Sequence, residues 1–173
     1  MYVKKTRRRP SKKRRGGGSK IINQVSIDNR PKHIELRQEV GLWEGDLVIG
    51  KNHKSAIGTI VERKTRAVLI IKLKSKKAEE VAKEFSKILN NVNPIFKKTM
   101  TYDNGIEMAR HEKITKNTTM KIFFAHPYSS WERGTNENTN GLIRRYLPKG
   151  TNFNEISEKQ LLVIQEKLNN RPR

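Results

Sequence analysis

The 173-residue chain contains no cysteine, which excludes disulfides and thiolate zinc sites. No apolar run approaches the ~20 residues of a membrane-spanning helix. The N-terminus is basic but lacks the apolar stretch of a secretory signal. No complete Gly-x-x-x-x-Gly-Lys-Ser/Thr motif occurs, since Asn52 follows Gly45 to Lys51, and His111-Glu112 lacks the second histidine of a zincin, so phosphate-loop and zinc-hydrolase chemistry have little support. His53 and His126 are scattered, and no internal repeat is visible. Acids are scarce as well. Only 17 Asp and Glu stand against 38 Lys and Arg, a formal charge of +21. A balance this one-sided repels itself in a compact fold and attracts polyanions, above all nucleic acid. Charge alone fits a generic, ribosomal-type RNA binder as well as anything more specific.

The basic residues are concentrated at the start. Residues 1 to 20 hold Lys4, Lys5, Arg7, Arg8, Arg9, Lys12, Lys13, Arg14, Arg15 and Lys20 with no acid, and Gly16, Gly17 and Gly18 break regular structure. With little to bury, residues 1 to 24 are expected to form a basic disordered arm, either a linker or a phosphate-binding segment. A single domain, 25 to 173, is expected to follow.

Within that domain, residues 41–49, 56–61 and 67–73 read as three strands joined by polar breaks, an antiparallel meander. Ser75 is expected to cap a helix whose apolar face is Ala78, Val81, Phe85, Ile88, Leu89 and Val92, closed by Pro94. A fourth strand is expected over 95–103 and a fifth over 121–125, with a short helix over 106–111 between them. Ser157 and Gln160 form a capping box for a last helix carrying Leu161, Ile164 and Leu168. The order describes a five-stranded mixed sheet flanked by helices, an α/β fold.

Three acids stand where such a sheet places chemistry. Asp46 lies in the first strand, Asp103 ends the fourth where open α/β sheets present ligands, and Glu137 sits in a stretch, 126–145, crowded with poor helix formers. Separated carboxylates can converge on hard divalent cations, and two Mg²⁺ ions about 4 Å apart can serve both oxygens of a phosphodiester displacement. Taken singly, each acid reads more readily as a solvated surface charge. On a helical wheel Glu137 shares a face with Arg133, Gly134, Asn140, Gly141 and Arg144, while Trp131, Thr135, Leu142 and Tyr146 are expected to pack on the sheet. Glu132, at Ser-x-x-Glu spacing from Ser129, is assigned to a capping box. Glu44 shares a strand face with Asp46, and Glu107 is a weaker rival ligand.

Trp43-Glu44-Gly45-Asp46-Leu47, Tyr102-Asp103-Asn104-Gly105 and the long run from Pro127 through Trp131-Glu132-Arg133-Gly134-Thr135-Asn136-Glu137 to Arg144 resemble the catalytic core of DDE transposases, with the closest match in the bacterial insertion-sequence-thirty family. The resemblance covers about residue 25 to the C-terminus, and its third motif is the most specific. It implies a ribonuclease-H-like integrase core and a polynucleotidyl transferase that cleaves DNA and transfers strands. It implies a catalytic and metal-binding triad of Asp46, Asp103 and Glu137 with Mg²⁺, Mn²⁺ being a possible substitute. The last two acids lie 137 − 103 = 34 positions apart, compatible with the family. It further implies DNA partners (element ends and target), a homo-oligomer in a synaptic complex, no membrane, and a nucleoid-associated place in the bacterial cytoplasm. Arg133, Asn140 and Arg144 are the DNA-binding candidates beside the triad, with Arg7, Arg8, Arg9, Lys12, Lys13, Arg14 and Arg15 in the arm.

Relatives carry an N-terminal helix-turn-helix that this chain does not show, so a transposase shortened at the N-terminus and slightly at the C-terminus is expected. A catalytically silent DNA-binding remnant and a ribonuclease-H-type nuclease remain the alternatives. For the arm the expectation is quantitative: each phosphate it neutralises adds about 0.9 to the log–log salt slope of DNA binding. Deleting residues 1 to 18 should flatten that slope by several units in a salt titration, and an unchanged slope would show that the arm does not touch DNA.

Overall fold

The computed structural model describes residues 21–172, so the arm candidates Arg7 to Arg15 lie outside the described residues. Five strands form one sheet: β1 (Leu42–Ile49), β2 (Ala56–Glu62), β3 (Val68–Lys72), β4 (Thr99–Tyr102) and β5 (Lys121–Phe124), in the order β3-β2-β1-β4-β5. β1, β2 and β3 pair antiparallel, and β4 joins β1, and β5 joins β4, in parallel. The mixed sheet is thus the expected one. Four helices complete the fold: α1 (Ala78–Asn90), α2 (His111–Thr118), α3 (Gly134–Tyr146) and α4 (Glu158–Asn169).

Strand alternation divides β1 between two cores. Trp43 points into a layer with Phe85, Leu89, Tyr102 and Ile114, beneath α1 and α2. Val48 points into the other, with Ile57, Val61, Ile143 and Leu161 beneath α3 and α4. Leu42, Glu44, Asp46 and Val48 therefore share the α3 face. Between Glu44 and Asp46 the opposite face is crowded: a Cβ on Gly45 would stand 2.2 Å from Tyr102 Cε1. That close approach explains the glycine of the Trp-Glu-Gly-Asp motif. It lets Tyr102, fully buried, lie under the strand that carries Asp46.

The free edge at β3 is covered by side chains of α4. Asn169 Oδ1 accepts from the Val68 N–H at 2.8 Å, Asn169 Nδ2 donates to Val68 O at 3.0 Å, and Gln165 Oε1 accepts from the Ile70 N–H at 2.8 Å. An exposed strand edge invites pairing with other chains, and these amides occupy it.

Several boundaries differ from expectation for local reasons. The fourth strand begins at Thr99, because Asn93 Oδ1 caps the Ile95 N–H and Pro94 starts a 3-10 turn. Ser75 does not cap α1, whose preceding residue is Lys77 with no side-chain cap. The segment expected as a helix over 106–111 is a 3-10 turn, Ile106–Met108, followed by α2. The capping box of Ser157 and Gln160 is present. Residues 21 to 24, assigned above to the arm, pack on the domain: Ile21 is buried, and Gln24 donates to Asn104. Val25 O then accepts from the Phe124 N–H at 2.9 Å, so the segment runs along β5.

Candidate active site

β1 and β4 run parallel, side by side, and each delivers an aspartate beside the other. Asp46 lies in β1, and Asp103 immediately follows β4. Asp103 Oδ1 accepts from the Gly105 N–H at 3.0 Å, a tight turn that aims the other oxygen outward. A Cβ on Gly105 would stand 2.6 Å from Glu107 Oε2 and 3.0 Å from Asp103 Oδ1, so Glu107 reaches back to the same turn. Asp46 Oδ1 accepts from the Leu47 N–H at 2.8 Å and Oδ2 from Asn140 Nδ2 at 3.0 Å.

One guanidinium joins the two acids. Arg133, the last residue of the 3-10 turn Ser130–Arg133, places Nη1 3.3 Å from Asp46 Oδ2 and Nη2 3.6 Å from Asp103 Oδ2. Its Nε is buried without a partner. Burial pushes the Asp46 carboxyl above its ordinary value, the nearby Asp103 charge adds to this, and Arg133 opposes it. Asp46 is thus a desolvated anion that a cation stabilises.

Glu137 stands on α3, four residues after Arg133. It is exposed and makes no hydrogen bond or ion pair among the described residues. Among those residues, no group of three or more His, Cys, Asp or Glu side chains is arranged to hold a metal ion. Two of the three expected acids are therefore brought together, by Arg133, and the third is on the adjoining helix. As hard oxygen donors Asp46 and Asp103 suit a divalent cation.

The DNA-binding candidates have internal partners. Arg133 is on the acids. Asn140 binds Asp46 and accepts from Thr59 Oγ1 at 2.9 Å. Arg144 donates to Ile49 O at 2.6 Å, with Leu147 O and Pro148 O each at 3.5 Å, and lies over the Phe153 ring. Burial lowers the Arg144 pKa.

Other expectations about this stretch are corrected. Trp131 is 71% exposed and Tyr146 44%, so neither packs on the sheet. The buried face of α3 is Thr135, Asn136, Thr139 and Ile143. Ser129 forms no side-chain cap. Glu132 instead holds His126, accepting from its backbone N–H at 2.7 Å and meeting Nδ1 at 2.8 Å. His126 Nε2 lies 3.0 Å from Asp28 Oδ2, tying residues 26–28 to the loop beside Asp103. A cavity of about 480 Å³ opens between that loop and Asp103, lined by Tyr128, Ser130 and Arg133 among others.

Sequence reasoning missed Asn136, Thr59 and Arg63. Asn136 is fully buried: its Nδ2 donates to Glu44 O at 2.9 Å and its N–H to Glu44 Oε2 at 2.8 Å. The only available signal was its i, i+3, i+7 spacing with Thr139 and Ile143, which a search for apolar residues passes over.

The sheet order, the two parallel-strand aspartates and the helix beside them define a ribonuclease-H-like core of the integrase type. The Integrase core domain family matches residues 37–130, more than half of the chain, and this span holds Asp46 and Asp103. The chain belongs to that family. It is 48% identical to the transposase for insertion sequence element IS4351 of Bacteroides fragilis, over 99% of this chain and 53% of that protein. It is 40% identical to transposase InsI for insertion sequence element IS30A of Escherichia coli (strain K12), over 96% of this chain and 43% of that protein. The chain thus spans about half the length of the curated relatives it matches. In fold it is similar to the catalytic core domain of BIV integrase, with a TM-score of 0.58 at 18% identity, over 78% of this chain and 87% of that one. No helix among the described residues is long and apolar enough to cross a membrane.

The His126 clamp has a pH signature. Glu132 first, then Asp28, raises the His126 pKa above its ordinary value, and Ser26 and His126 lower that of Asp28. The raised base contributes its stability fully below the ordinary histidine value and loses it as pH rises through the raised one. At the acid end the contribution fades as Asp28 is protonated. In an NMR titration His126 should titrate above ~6.5, and Asp28→Asn should move it downward; an unmoved value would remove the clamp.

Proposed function

We propose that this chain is the catalytic domain of a DDE transposase, which hydrolyses a DNA phosphodiester at an element end and joins the freed 3′ hydroxyl to target DNA. The observation that carries this reading is the sharing of one guanidinium by Asp46, within β1, and Asp103, just after the adjacent parallel strand β4. Its kinship with insertion-sequence transposases over nearly its whole length supports the same reaction class.

In this reading Asp46, Asp103 and Glu137 hold the divalent ions, Mg²⁺ by preference with Mn²⁺ as substitute. When bound, those ions supply Lewis-acid stabilisation of the attacking and leaving oxygens. The rest is positioning, which is most of what phosphoryl transfer asks of a protein. Asn140 keeps Asp46 oriented through its 3.0 Å hydrogen bond. Arg133 moves from the acids to a DNA phosphate, a transfer between anions that keeps its charge compensated. Arg144, held against the carbonyls that end α3 and β1, braces that helix end and presents its remaining charge to the backbone of the duplex. The basic arm, from Arg7 to Arg15, adds sequence-independent affinity. DNA is the partner, and two chains in a synaptic complex would bring two ends together.

The exposed position of Glu137 and the guanidinium between the other acids favour one second reading, a catalytically silent DNA-binding remnant. Nicking of plain supercoiled DNA in Mn²⁺ separates the two, because it needs no recognition of element ends. We expect nicking by the parent. Asp46→Asn, Asp103→Asn and Glu137→Gln should each reduce it by about 10²-fold or more, with DNA binding retained in a gel-shift assay. Full activity in any of the three would refute the assignment. Cleavage of an RNA–DNA hybrid but not of duplex DNA would instead mark a ribonuclease-H-type nuclease.

A further inference from the structure

α3 starts without a local cap: Arg133, its N-cap residue, makes no side-chain cap hydrogen bond. The first turn of a helix leaves backbone N–H groups without partners, and its end carries partial positive charge. Here one of those groups, the Asn136 N–H, points into the protein, where the Glu44 carboxylate accepts it at 2.8 Å. Glu44 is the third residue of β1, two residues before Asp46 and 92 positions away from Asn136.

The carboxylate is fully buried and its two oxygens face two different donors. Oε2 takes the helix N–H. Oε1 lies 3.0 Å from Nε of Arg63, whose side chain is 2% exposed. That second contact is off the line of a hydrogen bond, so it is a charge–charge contact rather than a directed bond. Arg63 is itself held by Ile34 O at 3.1 Å and Glu35 at 3.3 Å. The Asn136 side chain closes the joint from the other side: Nδ2 donates to Glu44 O, and Thr59 Oγ1 lies 3.3 Å from its Oδ1. A buried ion pair is a poor means of gaining stability, since apolar replacements of similar volume often do as well or better. A shared acceptor does something apolar packing does not, which is to fix the axial position of a helix end to the nearest hydrogen bond.

We propose that Glu44 is a positioning residue of the active site. It caps α3 from the strand that carries Asp46, and so sets where Arg133 and Glu137 stand relative to Asp46 and Asp103. Asn136, which directly precedes Glu137, is its counterpart on the helix. The assignment of Glu137 as a metal ligand rests on the reading under Proposed function, whereas the cap itself does not.

Glu44→Gln tests this with little change in shape. A glutamine has one acceptor oxygen, so its amide group must turn a donor toward either Asn136 N–H or the Arg63 guanidinium. Two measurements on the full chain decide. In amide hydrogen exchange, residues 134–138 should exchange about tenfold or more faster than in the parent, with residues 158–168 of α4 unchanged. In a Mn²⁺ titration by calorimetry, binding should weaken about tenfold, the scale on which outer-shell partners act. Equal acceleration in both helices, or none, would reduce Glu44 to a general contributor to stability and overturn the proposal, as would parent-like Mn²⁺ affinity in the variant. If Glu44→Gln does not fold, Glu44→Asp, which keeps a carboxylate charge on β1 but draws it back from the Asn136 N–H, is read by the same two measurements and the same criteria. If the parent binds no Mn²⁺, the metal reading fails and the exchange pattern alone decides the cap.

Discussion

The site depends on one electrostatic constraint, two carboxylates delivered by neighbouring parallel strands with a single cation between them. Parallel pairing of β1 and β4 sets the Asp46 and Asp103 backbones side by side, and burial leaves Asp46 poorly solvated. Like charges in that setting hold together only with a positive partner. Arg133 is that partner in the structure, at 3.3 Å and 3.6 Å. Hard oxygen donors held this way also suit a divalent cation.

The scaffold behind this pair packs closely on both faces of β1. Gly45 lets Tyr102 lie against β1 with no room for a methyl group. On the opposite face Glu44, Arg63, Asn136 and Thr59 join β1, β2 and the start of α3 by hydrogen bonds and charge. The helix that bears Arg133 at its head and Asn140 on its flank is thereby tied to the strand that bears Asp46. The amides of α4 on β3 close the far edge of the sheet.

Much of this was legible in the chain, and the failures have a common cause. β1, β2 and β3 are rich in β-branched residues bounded by turns, and local pattern was enough. The apolar stripe of α1 was equally clear. α2 was not expected beyond residue 111, because its buried positions are His111, Ile114 and Thr118 in a run of lysine, threonine and asparagine. The long motif around Glu137 reads as a helix and is one, and of its expected packing face Thr135 is buried and Leu142 packs on the core while Trp131 and Tyr146 are exposed. The buried face adds Asn136, which bonds Glu44 92 positions away, and Thr139, which bonds Thr135 O within the helix. Glu132 matched a capping spacing and turned out to hold His126. These misses turn on polar groups whose partners lie near (His126 for Glu132) or far (Glu44 for Asn136), and hydrophobic periodicity carries no information about either.

The central claim is that the place now held by the Arg133 guanidinium is a divalent-ion site. The direct measurement is a crystal structure of the chain grown with Mn²⁺, read by anomalous diffraction. The account predicts an anomalous peak between the Asp46 and Asp103 carboxylates, with Glu137 turned toward it and the guanidinium withdrawn. Both aspartates still closed on Arg133, with no anomalous peak between them at saturating Mn²⁺, would contradict it.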